Sequence, residues 1–315
     1  MNPLFPFNGT RHLSETELVQ SKEACPLCGA ERGKRVAWIQ RAPDVALHQC
    51  ATCHGASVNP MPTDDALAAL YEVFYGDPSH GDGDAHVTFG NPDRFGKHLA
   101  RHFAALLPRD YLEIMDFGGG DGAIAVSVAR QLLAQGVDAA AITVVDYENA
   151  LAPCDDKRIS MSRADSLESI GEKDFDIVIA SGVVEHVPDP TALVTALLSR
   201  LREGGCFYAR TPHVLPFIKL TGKRGVKHFF PFPAHLHDLG QRFWEHFFAH
   251  QRVDSDCHLI ASQPAIVQVS FAQHGPVALL SHLAKAPWYL LGSRYPFVGG
   301  WEVVAQKTFQ PNGRN

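Results

Sequence analysis

A glycine-rich loop flanked by acidic residues lies between an apolar run and a helix-like stretch. It reads DFGGGDG over residues 116–122, after the apolar run 111–115, and a helix-like stretch begins at Ala123. Glycine has no side chain, so such a loop lets a ligand lie directly against the backbone. Gly118, Gly120 and Ala123 also fit the G-x-G-x-x-A pattern of dinucleotide-binding loops. A nicotinamide or flavin cofactor is therefore one interpretation of this loop.

The charges of the acidic residues in the loop discriminate between cofactors. A dinucleotide would place its pyrophosphate beside Asp116 and Asp121. At an effective dielectric constant of about 20, two like charges about 4 Å apart repel by roughly 4 kcal/mol. S-adenosylmethionine carries a sulfonium and an ammonium group and has no phosphate, so the same acids would attract it. The loop therefore favours S-adenosylmethionine over a dinucleotide.

The loop also reads as D-x-G-x-G-x-G, and this pattern resembles the first motif of the class I methyltransferases. The resemblance implies that Asp116 faces the methionine end of S-adenosylmethionine. It also implies that the glycines of the loop lie under that cofactor, namely Gly118, Gly119, Gly120 and Gly122.

Residues that follow the next predicted strands complete the expected cofactor site. An apolar run ends at Asp146, whose carboxylate can accept hydrogen bonds from both ribose hydroxyls, and Tyr147 is placed to lie against adenine. Enzymes that use NAD place an acid in the same position, so this feature alone does not discriminate. Asp165 precedes a helix-like segment and looks like the family's residue that binds the adenine amino group. We also assign Ser166 and Ser181 to the cofactor site.

Two later stretches extend the resemblance to the methyltransferases. The sequence E-H-x-x-x-P from Glu185 to Pro190 is similar to the turn that follows the fourth strand in many small-molecule methyltransferases. Residues 201–209 match the family's next element, which is a helix end, a Gly-Gly turn and a strand. These motifs span 110–212 in the family's order. The resemblance therefore implies an α/β fold with a Rossmann-like, doubly wound, mostly parallel seven-stranded sheet.

Two C-x-x-C pairs near the N-terminus have the spacing of a metal site. Cys25 and Cys28 form the first pair, Cys50 and Cys53 form the second, and short strand-like pieces lie between them. Each pair can turn two thiolates toward one tetrahedral ion, and four thiolates leave no open position for water. The spacing therefore predicts a small N-terminal zinc ribbon with a structural Zn²⁺ ion. A pair of disulfides or a redox C-x-x-C motif is the alternative.

Methyl transfer to a hydroxyl requires a base near the acceptor, and histidine suits that task near neutral pH. The stretch after the fifth strand is rich in histidine and aromatic residues. We expect the base to be His235 or His237, with Asp238 as the orienting acid; His186 follows them, and His213 is a weaker choice. Alternatively, His186 only shapes the cofactor pocket and His235 caps a helix. The H-x-H-D cluster is also a candidate site for a divalent ion that binds a diol acceptor.

The pattern of apolar runs predicts the elements that position these residues. Strand-like runs alternate with helix-like stretches, which predicts a parallel doubly wound sheet with strands at 112–117, 141–146, 175–181, 205–211 and 301–308. We predict a zinc ribbon over 1–60, a helical linker or lid over 61–110 and a class I methyltransferase domain over 111–315. An insertion near 212–300 would cap the substrate site. Its small basic patch is either a phosphate site or a solvated loop: Lys223, Arg224 and Lys227.

Composition and charge limit the partners. The chain has 315 residues, of which 45% are hydrophobic, and this is enough for one full domain plus an accessory piece. Its net charge of −6 disfavours nucleic acid as a partner. No apolar run approaches the roughly 20 residues of a membrane span, and the N-terminus lacks the layout of a signal peptide. We therefore expect a cytoplasmic protein without a membrane partner, and the apolar segment 277–290 is consistent with a homodimer.

The front of the chain also resembles bacterial methyltransferases of natural-product and surface-saccharide pathways. There, as over 25–75 here, a four-cysteine ribbon precedes an N-P-x-P turn and a helix rich in leucine and tyrosine. We therefore expect an S-adenosylmethionine-dependent methyltransferase that acts on a small-molecule acceptor, a hydroxyl of a sugar or natural product. The alternative is an RNA or protein methyltransferase that docks its substrate on the ribbon. A binding protein that keeps the fold without catalysis is a third hypothesis, which the intact glycine loop disfavours.

Overall fold

The computed structural model describes residues 11–76, 92–107, 110–147, 150–222, 230–250, 257–267 and 271–308. The strands are β1 (Lys34–Gln40), β2 (Val45–Gln49), β3 (Ala56–Asn59), β4 (Tyr111–Phe117), β5 (Ala139–Val145), β6 (Ile159–Ala164), β7 (Phe175–Ser181), β8 (Leu201–His213), β9 (His237–Asp238), β10 (Cys257–Pro264) and β11 (Gly299–Lys307). The helices are α1 (Asp64–Gly76), α2 (Pro92–Phe103), α3 (Ala123–Leu133), α4 (Pro190–Ser199), α5 (Leu215–Gly222), α6 (Gln241–His250), α7 (Phe271–Lys285) and α8 (Trp288–Leu291).

The larger of two sheets has seven strands in the order β10-β11-β8-β7-β4-β5-β6. The strands from β4 to β8 in this sheet pair in parallel, and β11 is antiparallel to both of its neighbours, β8 and β10. The Rossmann-like, mostly parallel seven-stranded sheet is therefore confirmed. Because the carboxyl ends of parallel strands meet at one edge, the loops after β4, β5, β6, β7 and β8 share that edge.

Successive side chains of each strand point to opposite faces of the sheet, and helices cover both faces, as expected for a doubly wound fold. On one face, Ile114 and Tyr208 belong to a core that also contains residues of α2 and α3. On the other face, Met115 and Ala209 belong to a core that contains residues of α4 and α6. Successive residues of β4 and β8 thus bury their side chains in different cores, which holds the strand ends firmly in place.

The smaller sheet joins the cysteine-containing segment to residues that follow the central strands of the larger sheet. Its antiparallel order is β1-β2-β3-β9, and β9 pairs through Ala56 with Asp238 and through Ser57 with His237. Leu47 and Val58 of this sheet share a core with Leu215 and Leu236. The segment predicted as a ribbon over 1–60 therefore shares both a sheet and a core with residues far along the chain.

Two predicted surface features lie wholly or mostly outside the described residues. These are residues 77–91 of the linker or lid predicted over 61–110, and the basic patch at Lys223, Arg224 and Lys227. Among the described helices, none combines the length and apolar character needed to cross a bilayer.

Candidate active site

The loop between β4 and α3 requires glycine at several positions. Gly118, Gly120 and Gly122 have φ values of 68°, 58° and 80°, in the left-handed region that favours glycine. A Cβ atom on Gly119 would lie 2.4 Å from the carboxyl carbon of Asp116, whereas one on Gly120 would meet no atom within 4 Å. The backbone at Gly119 thus packs against Asp116, and the space beside Gly120 is open.

Asp116 is the most unusual carboxylate of this loop. It lies in β4 with 1% of its surface exposed, and its Oδ2 atom has no hydrogen-bond partner. Burial, followed by repulsion from Asp146, raises the pKa of Asp116 to about 7. A positively charged ligand at the loop would stabilise the ionised form of this carboxyl. S-adenosylmethionine has the charge that fits such a site.

The other predicted cofactor residues lie along the same edge of the sheet. Asp146 follows β5 and is buried, and its Oδ2 atom accepts a 2.7 Å hydrogen bond from the Gly120 amide. The neighbouring Tyr147 is 72% exposed. Asp165 follows β6, and its Oδ1 atom lies 2.8 Å from Nη2 of Arg163. The structure thus brings the acids predicted for ribose and adenine to adjacent strand ends.

A cavity of about 380 Å³ adjoins the β6 end of this edge and is lined in part by Asp165, Ser169 and Ile170. Ser166 lies beside it, and its hydroxyl accepts a hydrogen bond from the Ser169 amide. Ser166 therefore fixes the local turn.

Unsatisfied buried polar atoms mark the ends of β7 and β8. Ser181 Oγ, Glu185 Oε2 and Arg210 Nε are all buried without a hydrogen-bond partner among the described residues. Such atoms are rare in folded proteins because each one costs free energy. Together with Asp116 Oδ2, they trace the part of the sheet edge where the acceptor of a transferred group would lie.

Two histidines and a glutamate cluster in the turn after β7. His186 Nδ1 lies 2.9 Å from the Ala234 carbonyl oxygen, and its Nε2 lies 3.7 Å from Glu185 Oε1. Because a carbonyl only accepts, Nδ1 donates and Nε2 keeps the lone pair of the neutral ring. The His235 ring stands perpendicular to that of His186 at 4.7 Å, and burial lowers the pKa of His235 well below its usual value.

His237 has a different environment from His186. It is fully buried in β9, where its Nδ1 atom lies 2.8 Å from Ser57 Oγ and its Nε2 atom lies 3.0 Å from the Val187 carbonyl oxygen. Burial lowers the pKa of His237 to about 4. Both ring nitrogens are therefore engaged, and the side chain links the small sheet to the turn after β7.

The carboxylate of Asp238 orients His213, whereas the sequence predicts that it orients His235 or His237. Its Oδ1 atom accepts a 2.9 Å hydrogen bond from His213 Nδ1, and its Oδ2 atom accepts from the amides of Val214 and Leu215 at 2.5 and 3.0 Å. These contacts fix the first turn of α5 and the end of β8. The geometry therefore gives Asp238 a positioning role at His213.

Sequence reasoning assigned no role to three further residues near this turn. Glu185 was noted only as part of a motif, and Arg210 and Tyr71 were not singled out. Burial raises the pKa of both Glu185 and Tyr71, and Glu185 is a cause of the shift at Tyr71, so α1 lies close to the turn after β7. The Glu185-His186 pair was the only sequence signal for a site at this turn. Tyr71 and Arg210 are distant from that pair in the sequence, so only the fold brings them near it.

The four cysteines of the C-x-x-C pairs converge as expected. Cys25 Sγ lies 3.9 Å from Cys53 Sγ, Cys28 Sγ lies 3.6 Å from Cys50 Sγ, and all four sulfurs lie within 4.8 Å of one another. Four sulfurs about 2.3 Å from one tetrahedral ion stand about 3.8 Å apart, so these spacings fit zinc. All four are free thiols, and the disulfide alternative has no support in this geometry.

Comparison with known proteins agrees with this geometry. A family model described as a methyltransferase domain matches residues 92–256, which is just over half of the chain. The chain therefore belongs to the methyltransferase-domain family, and the expected class I methyltransferase fold is confirmed.

Individual relatives match over shorter stretches. The ubiquinone biosynthesis O-methyltransferase of Paramagnetospirillum magneticum is 31% identical over 122 residues, which cover 37% of this chain and 47% of the relative. The protein of the same name from Bartonella tribocorum is 34% identical over 110 residues, covering 34% and 44%. The chain spans about half the length of the curated relatives it matches.

A solved structure supports the fold alone. The plantazolicin methyltransferase BpumL in complex with SAH has a TM-score of 0.50 and 14% identity, and the match covers 78% of this chain and 96% of that one.

Proposed function

We propose that this protein is an S-adenosylmethionine-dependent methyltransferase that acts on a hydroxyl group of a small molecule, a sugar or another natural product. The buried Asp116 carboxyl beside an open glycine loop carries the proposal, since its Oδ2 atom has no partner. S-adenosylmethionine supplies the methyl group from its sulfonium when bound. The O-methyltransferase names of the curated relatives support an oxygen acceptor.

The proposed cofactor contacts follow the strand ends. Asp116 and the glycine loop hold the methionine end, and Asp146 accepts from the ribose hydroxyls. Tyr147 covers adenine, and Asp165 accepts from its amino group. The hydrogen bond from the Gly120 amide to Asp146 supports this arrangement, because it fixes the loop and the ribose acid relative to each other.

His186 is the residue we propose as the general base. Its Nδ1 atom is held by the Ala234 carbonyl, which leaves the lone pair on Nε2 toward the region of the unpartnered atoms. A base must present such a lone pair within hydrogen-bond reach of the acceptor hydroxyl. The lone pair of His237 is not available, because Nε2 donates to the Val187 carbonyl and Nδ1 accepts from the Ser57 hydroxyl.

One observation favours a metal-assisted variant of the same reaction. Ligand atoms of Glu185, His186 and His235 all lie within 4.8 Å of one another, and Glu185 Oε2 is buried without a partner. A divalent cation there would lower the pKa of a bound hydroxyl. Among the described residues, neither His237 nor Asp238 belongs to a potential metal cluster. We therefore propose the divalent site at the turn after β7 instead of at the H-x-H-D cluster.

Isothermal titration calorimetry tests the cofactor assignment. At pH 6, Asp116 with a pKa of about 7 is mostly protonated in the free protein, and a bound cation favours its ionised form. We therefore expect S-adenosylmethionine to bind with release of about one proton, seen as a dependence of the heat on the buffer.

The variant Asp116→Asn should abolish that proton release and weaken binding at least about tenfold. Asp138→Asn, at an exposed acid, is the matched control and should bind like the unaltered protein. Absence of S-adenosylmethionine binding, or competition by NAD, would contradict the proposal.

We also propose a structural Zn²⁺ ion held by Cys25, Cys28, Cys50 and Cys53. The sulfur spacings given above support it. The cluster packs in a core with Phe243 and Trp244 of α6, and four thiolates leave no open position for water, which suits a structural rather than a catalytic ion.

A second candidate function, the methylation of RNA or protein docked on the ribbon, has one supporting observation. The guanidinium carbons of Arg35 and Arg41 lie 3.8 and 3.9 Å from the ring centroid of Trp38, which is 41% exposed. This basic and aromatic surface is of a kind that binds nucleic acid. If it docks the substrate, Trp38→Ala should lower activity on RNA at least about tenfold and leave S-adenosylmethionine binding unchanged.

A further inference from the structure

Arg210 lies where the acceptor of the methyl group would bind. In β8 it is the register partner of Ser181 in β7 and of Glu302 in β11. Its carbonyl accepts a 2.9 Å hydrogen bond from the Gly182 amide, which fixes its backbone beside the turn that carries Glu185 and His186. The charge of Arg210 is one cause of the pKa of Glu185, so the two side chains are close.

The guanidinium of Arg210 lies near two acids, Glu185 and Glu302, but forms no ion pair with either. Its Nε atom is buried without a hydrogen-bond partner, and no ion pair joins Arg210 to any described residue. Its neighbour Glu302 is already saturated. That carboxylate accepts from the side chains of His98, Gln263 and Tyr208 and from the Ile266 amide.

A second cation approaches the same place from another element. Lys285 is the last residue of α7, and its Nζ atom donates to the Ala265 carbonyl oxygen. Burial and then the like charge of Arg210 lower the pKa of Lys285 to about 8, so Lys285 and Arg210 lie near each other. Among the described residues, Lys285 has no ion-pair partner either.

Two cations share this partly buried site with Glu302, whose carboxylate already accepts from four other donors and offsets only one of the two positive charges. An oxyanion between them would remove the repulsion and satisfy the planar guanidinium, which binds carboxylate and phosphate groups through paired hydrogen bonds. This arrangement occurs beside His186, on the strand ends that the proposed function takes as the acceptor site.

We propose that Arg210 and Lys285 form an anion subsite, and that the methyl acceptor carries a carboxylate or phosphate group which this subsite binds. The inference rests on the proposed function only in identifying the bound molecule as the methyl acceptor. The subsite would hold the anionic end of the acceptor and leave its hydroxyl near His186. It thereby restricts the acceptor class to hydroxylated acids or phosphate esters.

Small aromatic probes of matched shape test the subsite directly. Benzoate, phenyl phosphate and neutral benzamide are titrated into the protein with and without SAH, and binding is followed by ligand-observed NMR. We expect at least one of the two anions to bind about tenfold or more tightly than benzamide, and their ranking separates a carboxylate from a phosphate ligand.

Substitutions then test which residues cause the preference for anions over benzamide. Arg210→Gln should remove the preference, Arg210→Lys should restore part of it, and Lys285→Gln should reduce it several-fold. Arg242→Gln, at an exposed arginine of α6, should bind like the unaltered protein. Equal binding of all three probes, or an undiminished preference in Arg210→Gln, overturns the subsite. Loss of S-adenosylmethionine binding with the anion preference intact would instead overturn only the proposed function.

Discussion

At the scale of single residues, two kinds of buried acid are distinguished by their hydrogen-bond partners. Glu302 receives four donors, and the side chains of His98, Gln263 and Tyr208 hold its pKa below the usual range despite its burial. Asp116 and Glu185 each have a buried oxygen without a partner, and burial raises the pKa of both. A satisfied acid needs no ligand, whereas an unsatisfied one gains from binding one. The contrast favours a ligand-binding site at the ends of β4 and β7.

His186→Gln should lower kcat by roughly 10²- to 10⁴-fold, because it removes the lone pair that we assign to the base. The affinity for S-adenosylmethionine, measured by calorimetry, should not change. His258→Gln, at an exposed histidine of β10, is the matched control and should retain full activity. Full activity in His186→Gln would contradict the assignment.

A chelator separates the base from the metal-assisted variant. If Glu185, His186 and His235 hold a divalent cation, dialysis against a chelator should remove activity, and adding Mg²⁺ or Mn²⁺ should restore it. If His186 acts as a simple base, activity should persist under the same treatment as long as the cysteine cluster keeps its ion.

At the scale of elements, the sequence predicts central strands better than edge strands. The runs at 112–117 and 175–181 coincide with β4 and β7, which lie in the middle of the sheet and bury both faces. The edge strands β6 and β10 were missed, because half-exposed segments such as ISMSRA and CHLIASQP carry no continuous apolar run. The glycine loop could be predicted because its glycines and acids all lie within the short stretch 116–122.

The short strand β9 shows what local sequence cannot provide. Its two residues were assigned to catalysis from their type, but their surroundings depend on the pairing of β9 with β3, about 180 residues earlier in the chain. Likewise, the partner of Asp238 is His213, which lies 25 residues earlier in the chain and meets it only through the fold.

The position of His237 between two elements predicts a structural effect. His237→Leu leaves Ser57 Oγ and the Val187 carbonyl unpaired, which should lower the free energy of unfolding by roughly 2 to 4 kcal/mol. The kcat of the folded variant should stay within about threefold of the unaltered protein. Urea unfolding and steady-state kinetics check the two parts. A large loss of kcat at unchanged stability would instead identify His237 as the base.

The same substitution should change the pH dependence of stability. The pKa of His237 is about 4 when folded and about 6.5 when unfolded, so the unfolded chain binds more protons between these values. The stabilisation is therefore complete above pH 6.5 and decreases as the pH falls toward 4. His237→Leu should show a shallower decrease than the unaltered protein over this window, and equal slopes would contradict the shift.

At the scale of the whole molecule, the cysteine cluster belongs to the core of the larger sheet. Cys25, Cys50 and Cys53 share one buried cluster with Trp244 of α6 and Trp301 of β11, and Thr191 of α4 donates a 2.8 Å hydrogen bond to the Leu27 carbonyl. Opening the cysteine cluster therefore exposes surfaces that also support the catalytic sheet. We expect the ribbon and the methyltransferase region to unfold together.

Removal of the proposed zinc ion tests this coupling. The Cys25→Ser and Cys28→Ser double variant should lose the one metal ion per chain that elemental analysis would detect in the unaltered protein. If the loss costs roughly 3 kcal/mol, the melting temperature should fall by roughly 4 to 6 °C in a single transition, because both regions share one core. Cys257→Ser, at a partly buried thiol of β10 outside the cluster, should keep its metal and melt near the unaltered protein. Two separate transitions would show that the ribbon folds independently, and an unchanged metal content would remove the zinc assignment.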